Sequence, residues 1–167
     1  MRVVGIDPGL ASLGIVMMDG SALVDYADFT TKPTGAHSAN EDGVLRSQQM
    51  TDEVLRFLKK NAPVDMVIVE EFVTRTGSNY SAAWTTPFFI GFMVNELMTK
   101  GYPVRFRSPR MLPKHDVRAK VWSNYCKTRR DLSNINQLPK TRREHVMCAA
   151  LHAIGYMEKG GSQSRRK

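Results

Sequence analysis

Val3-Val4-Gly5-Ile6-Asp7-Pro8-Gly9 opens the chain with a short apolar run that ends on a carboxylate and a tight turn. Such a run predicts a buried strand, stopped by Asp-Pro-Gly. Leu13-Gly14-Ile15-Val16-Met17-Met18 predicts a second strand, and Asp19-Gly20 a hairpin turn. Residues 22–31 predict a third strand, with Val24, Tyr26 and Ala27 as its apolar members. Three strands joined by short turns predict an antiparallel meander.

Outward from this opening, the pattern alternates. Residues 34–40 read as a polar loop. Between Asp42 and Asn61, Val44, Leu45, Val54, Leu55, Phe57 and Leu58 interleave with charges, predicting an amphipathic helix ended by Asn61 and Pro63. Asp65-Met66-Val67-Ile68-Val69-Glu70 is β-branched and again ends on an acid, as a strand buried on both faces would. Residues 74–81 read as a polar loop, and residues 82–100 as a long buried helix closed by Gly101, with Pro87 as a kink point. A short strand at 104–106 follows, then a loop leading to a helix over about 116–126. Residues 127–140 read as polar and irregular. Val146, Met147, Ala150, Leu151 and Ile154 give helical spacing over residues 142–157. The order βββ-α-β-α-β-α-α predicts an α/β fold: a mixed five-stranded sheet, meander plus parallel strands, flanked by helices. One domain is expected over residues 1–158, with a flexible basic tail at 159–167.

The chain has 167 residues and is 42% hydrophobic, enough for one sizeable core and too apolar for a disordered chain. Its two cysteines, Cys126 and Cys148, form neither a disulfide framework nor a CxxC metal motif. No apolar run reaches the roughly 18 residues of a membrane span, and Asp7 comes too early for a signal peptide. A soluble cytoplasmic protein is expected. Residues 98–167 carry 17 Lys/Arg and 4 acids, a balance of +13, while residues 1–97 carry 7 and 12, a balance of −5. A basic half points to a polyanionic partner, nucleic acid first, against the alternative of a solvated basic surface.

The acids need a separate explanation. Asp7 and Glu70 end the two most buried strands, and functional groups gather at strand ends in α/β sheets. A carboxylate beside apolar strands is desolvated unless a cation neutralises it. Paired carboxylates suit Mg²⁺ or Mn²⁺, and two such ions assist both attacking and leaving oxygens in phosphodiester hydrolysis. The plainer alternative is that Asp7 opens a turn while Glu70 and Glu71 begin a solvated loop.

Gly5-Ile6-Asp7-Pro8-Gly9, then Leu13-Gly14 and a hairpin, resembles the opening of RuvC-type Holliday junction resolvases, of the retroviral-integrase or RNase H-like superfamily. Val67-Ile68-Val69-Glu70-Glu71-Phe72-Val73 is similar to that family's second motif, a strand running into a catalytic Glu. Phe88-Phe89-Ile90-Gly91 matches the following helix, and Ser108-Pro109 with Lys114 and Lys120 the strand and basic segment after it. Residues 142–153 stand where the terminal acidic helix belongs. The resemblance covers nearly the whole chain and keeps the motif order.

The resemblance implies an RNase H-like fold, a homodimer, a four-way DNA junction as substrate, and two Mg²⁺ per site with Mn²⁺ as an alternative. It implies a cytoplasmic setting, in a bacterium or a phage-infected host cell. Asp7 and Glu70 carry over as catalytic metal ligands, with Glu71 the neighbouring alternative. The last motif departs: the family shows two acids spaced i, i+3, whereas Thr141-Arg142-Arg143-Glu144-His145-Val146 puts His145 at the final acid and Arg142 at its partner. A one-residue shift puts Glu144 there instead, so Glu144 and His145 both stand as catalytic and metal-ligand candidates. Imidazole ligates Mn²⁺ and also serves as a general base. Arg107, Arg110, Lys114, Arg118 and Lys120 are phosphate-contact candidates, and Arg75, Asn79 and Tyr80 are candidates for probing opened bases. His37 and His115 read as bystanders, and His152 as a packed or half-exposed helix residue. Phe88, Phe89, Phe92 and Met93 read as core or a dimer face. The rival readings are another branched-DNA, flap or RNA–DNA hybrid nuclease, and a non-catalytic junction-binding protein.

Overall fold

The computed structural model describes residues 1–73 and 80–163, with the side chains of 80–84, 115–116 and 160–163 outside that description. Strands β1 (Arg2–Asp7), β2 (Ser12–Asp19), β3 (Ala22–Thr30), β4 (Met66–Glu70) and β5 (Val104–Arg107) form one sheet in the order β3-β2-β1-β4-β5. β1, β2 and β3 pair antiparallel, while β4 lies parallel to β1 and β5 parallel to β4. This is the mixed sheet expected from the sequence. Gly20, at φ +54, supplies the left-handed position of the β2–β3 turn.

Side chains alternate across a strand, so each strand feeds two cores. Val4, Ile6, Leu13, Ile15, Val67 and Val69 pack with helices α1 (Ala39–Lys60) and α2 (Tyr80–Thr99). Val3, Val16, Met18 and Ile68 pack on the opposite face with α3 (His115–Thr128) and α4 (Lys140–Gln163). That alternation fixes the acids. Asp7 follows Ile6 and Glu70 follows Val69, so both turn to the α4 face.

The structure departs from expectation in three places. α1 starts at Ala39, ahead of Asp42, because Ser38 Oγ accepts from the Glu41 amide at 3.1 Å while Glu41 Oε2 accepts from the His37 amide at 3.2 Å. The first bond satisfies a donor that the first turn leaves unpaired, and the second ties Glu41 back to the residue before the cap. Residues expected to be irregular contain a 3-10 run, Arg130–Gln137, that buries Leu132 and Ile135. Trp122 Nε1 donates to Asn136 Oδ1 at 2.9 Å and the Leu23 amide donates to Asp131, tying that run to α3 and β3. α4 runs past the expected Met157 to Gln163, and residues 164–167 lie outside the description. Among the described residues, no helix is long and apolar enough to cross a membrane.

Candidate active site

Register places three acids in a row across the end of the sheet, all on the α4 face. Gly14 is the cross-strand partner of both Asp28 on β3 and Asp7 on β1. Ile6 pairs with Val69, so Asp7 and Glu70 follow side by side on adjacent parallel strands, about 4.8 Å apart in backbone spacing.

Helix α4 reaches this row because the sheet beneath it carries two glycines. A Cβ on Gly14 would lie 2.2 Å from the His145 carbonyl carbon, and one on Gly5 would lie 2.1 Å from the Ala149 oxygen. Both approaches are closer than any side chain allows, so Gly5 and Gly14 set the depth at which α4 sits. One helix then answers each acid. Arg142 Nε donates to Asp28, His145 Nδ1 lies 3.0 Å from Asp7 Oδ2, and His152 Nε2 lies 2.7 Å from Glu70 Oε2. Arg142, which stands where the family places an acid, is thus engaged by Asp28, whose side chain is only 3% exposed.

The environments of the two histidines differ. The His145 side chain is 38% exposed and that of His152 is fully buried. The hydrogen bond to Asp7 raises the His145 pKa above its ordinary value against the opposing effect of burial, with Asp7, Glu144 and Glu70 adding in the same direction. Glu144 is exposed and lines a separate pocket with Arg118, Lys140 and Met147. The structure therefore brings His145, not Glu144, into contact with Asp7. Asp7, Glu70 and Glu71 line one cavity together with Pro8, Phe72, Val73, Ile90 and Pro109.

Behind Glu70, the support continues. Arg107 is the β5 partner of Glu70, is 8% exposed, and donates from Nη1 to the carbonyls of His152 at 2.6 Å and Leu151 at 3.3 Å. Its guanidinium occupies the space over Gly155, where a Cβ would lie 2.3 Å from it. Expected to meet phosphate, Arg107 instead fastens β5 to α4. Burial lowers its pKa, opposed by the charges of Glu158 and Tyr125. Arg118 is half-buried, donating to the Pro113 carbonyl at 3.4 Å and to Cys148 Sγ at 3.2 Å. Arg110, Lys114 and Lys120 are exposed. Arg75 and Asn79 lie outside the described residues, as does the Tyr80 side chain. Phe89 and Met93 are fully buried, while Phe88 is exposed and stacks 6.5 Å from Phe92.

Asp28 carries no expectation from the sequence; His152 is packed, as expected, but its bond to Glu70 is not foreseen. Each carried a periodic signal: Asp28 has the same parity on β3 as the core-facing Tyr26, and His152 follows His145 by two helical turns.

As the side chains stand, no three Asp, Glu, His or Cys residues among those described converge on a point that could hold a metal ion. The donor set nonetheless suits a divalent cation. Two carboxylates share a cavity and a partly exposed imidazole adjoins one of them, a combination of oxygen and nitrogen ligands that Mg²⁺ and Mn²⁺ accept.

No family model matches the chain, and no curated protein does. Solved structures do. Thermus thermophilus RuvC in complex with a Holliday junction superposes with a TM-score of 0.64 at 21% identity, over 96% of each chain. A fowlpox virus resolvase bound to Holliday junction DNA gives 0.60 at 15% identity, over 95% of this chain and 98% of that one. The yeast mitochondrial Holliday junction resolvase Ydc2 gives 0.68 at 12% identity, over 99% and 81%. The likeness runs almost end to end. The chain has the RNase H-like fold of the RuvC-type Holliday junction resolvases.

Proposed function

We propose that the protein is a divalent-metal-dependent endonuclease that cuts four-way DNA junctions by paired, symmetric nicks. One observation carries the reading: Asp7 and Glu70 end adjacent parallel strands on one face and line one cavity, and Asp7 meets the His145 imidazole of α4 at 3.0 Å. Asp7, Glu70 and His145 are the residues that would hold Mg²⁺ or Mn²⁺, two per site, which when bound supplies Lewis acidity for phosphodiester hydrolysis. Asp7 and Glu70 provide the negative charge that retains a cation beside a polyanion. His145 is anchored through Nδ1, which leaves Nε2 as the ring atom able to ligate or to take a proton from an attacking water. Glu144, one position away in register, adds negative charge at His145.

Exposed Arg110, Lys114 and Lys120, together with Arg118, are the proposed phosphate contacts, with Arg75, Asn79 and Tyr80 facing opened bases. Junction binding resting on such contacts falls steeply with salt. A homodimer with two-fold symmetry supplies two sites for opposite strands, and the setting proposed with this reading is the cytoplasm of a bacterium or phage-infected cell. Residues 1–158 act as one nuclease domain and the basic tail at 159–167 adds to DNA affinity.

The test is a panel of labelled substrates, comprising four-way junction, flap, linear duplex and RNA–DNA hybrid, each with Mg²⁺, Mn²⁺ or EDTA. Preferential nicking of the junction, abolished by EDTA, supports the reading. Preference for a flap or hybrid replaces the substrate while keeping the chemistry. Tight junction binding without cutting in either metal overturns it.

A further inference from the structure

We infer that His152 is the positioning residue for Glu70, holding one carboxylate oxygen so that the other is presented to the cavity shared with Asp7; this rests on the metal-site reading above. The side chain of His152 is fully buried, and its Nε2 lies 2.7 Å from Glu70 Oε2. A carboxylate oxygen accepts, so Nε2 carries the hydrogen. Nδ1 is also buried and has no partner among the described residues, which is tolerable for a lone pair and costly for an N–H. The burial therefore selects the Nε2–H tautomer, the one that donates to Glu70. The backbone that carries the ring is held as well. Arg107, beside Glu70 on the neighbouring strand, donates to the His152 carbonyl at 2.6 Å, and Gly155 leaves the room that the guanidinium needs. Gly155, Arg107 and His152 thus form a backing layer whose outermost hydrogen bond falls on Glu70. Such buried donors behind a ligating carboxylate fix its orientation, and their loss typically lowers metal affinity about 10- to 100-fold.

The experiment measures Mn²⁺ affinity by electron paramagnetic resonance for wild type, His152→Leu, His152→Gln, Asp7→Asn and Glu70→Gln, with thermal unfolding of each in EDTA. Gln places an amide N–H near the position of Nε2, whereas Leu fills the space without a donor. His152→Leu should weaken Mn²⁺ binding about 10-fold or more, and His152→Gln should restore most of it even where both variants unfold at similar temperatures. Equal Mn²⁺ affinity for His152→Leu and wild type overturns the positioning role. If wild type takes no Mn²⁺, or Asp7→Asn and Glu70→Gln bind as it does, the metal-site reading fails first. Long-range ¹H–¹⁵N correlation on the wild-type chain needs no variant: an Nε2–H tautomer at His152 supports the role, and an Nδ1–H tautomer excludes it, because Nε2 then cannot donate to Glu70.

Discussion

Adding one methyl group at position 14 should displace the first turn of α4. In Gly14→Ala the new Cβ would meet the His145 carbonyl carbon at 2.2 Å, the His145 oxygen at 2.4 Å and the Val146 nitrogen at 2.4 Å, all backbone atoms with no rotamer to retreat into. Ordinary contact begins at 3.4 Å, so restoring it from 2.2 Å takes a shift of about 1.2 Å. His145 Nδ1 now lies 3.0 Å from Asp7 Oδ2. A shift of that size away from the sheet carries the pair beyond hydrogen-bond range. Overpacking against rigid backbone costs about 1–3 kcal/mol, and misplacing a site residue by about 1 Å costs on the order of 10²-fold in rate. Urea denaturation reads the first quantity and single-turnover junction cleavage the second. The His145 ¹⁵N shifts report the bond itself. A Gly14→Ala protein with wild-type stability and an intact His145–Asp7 bond would refute the claim that Gly14 sets the depth of α4.

The remaining expectations concern neighbouring parts of the same layer. Arg107→Leu should destabilise the fold by about 3 kcal/mol, from two lost charge-assisted bonds to α4, yet leave the salt slope of junction binding unchanged; Lys114→Ala should lower that slope by about 1 without affecting stability. The His145 pKa is raised above 6.5 by its bond to Asp7. Its contribution to metal-free stability is therefore fully present below pH 6.5 and lost as pH rises through the folded value, so urea midpoints in EDTA should fall over that range, and His145→Gln should flatten the profile. Burial pushes the Cys148 thiol up to about 12, so a disulfide reagent at pH 8 should leave Cys148 untouched until urea unfolds the chain. Rapid labelling of Cys148 in the folded protein would contradict its placement.

The sheet was largely legible in the sequence, because a strand buried on both faces writes a continuous apolar run and both such runs here end on acids. The alternation that turns Asp7 and Glu70 to one face follows from counting residues after Ile6 and Val69. The helix that completes the site was harder to read. Periodicity places Val146, Ala150 and Ile154 on the core side of α4, but it does not say how close that helix comes. Gly5 and Gly14 decide the distance, and a glycine in a strand announces only that something is near. The same limit hid the burial of Arg107 and the bond from the packed His152 to Glu70. A basic residue in a basic segment looks solvent-facing until Gly155, far away in sequence, is seen to make room for it. Arg142 looked like a departure from an acidic motif, and only cross-strand register shows Asp28 waiting opposite it.

Cleavage of an end-labelled four-way junction in Mg²⁺ by wild type and Asp7→Asn is the most direct test of the central claim. The account predicts two nicks placed symmetrically across the junction by wild type, none in EDTA, and none by Asp7→Asn while it still binds the junction. Cutting by Asp7→Asn at the wild-type rate, or by wild type in EDTA, would contradict it.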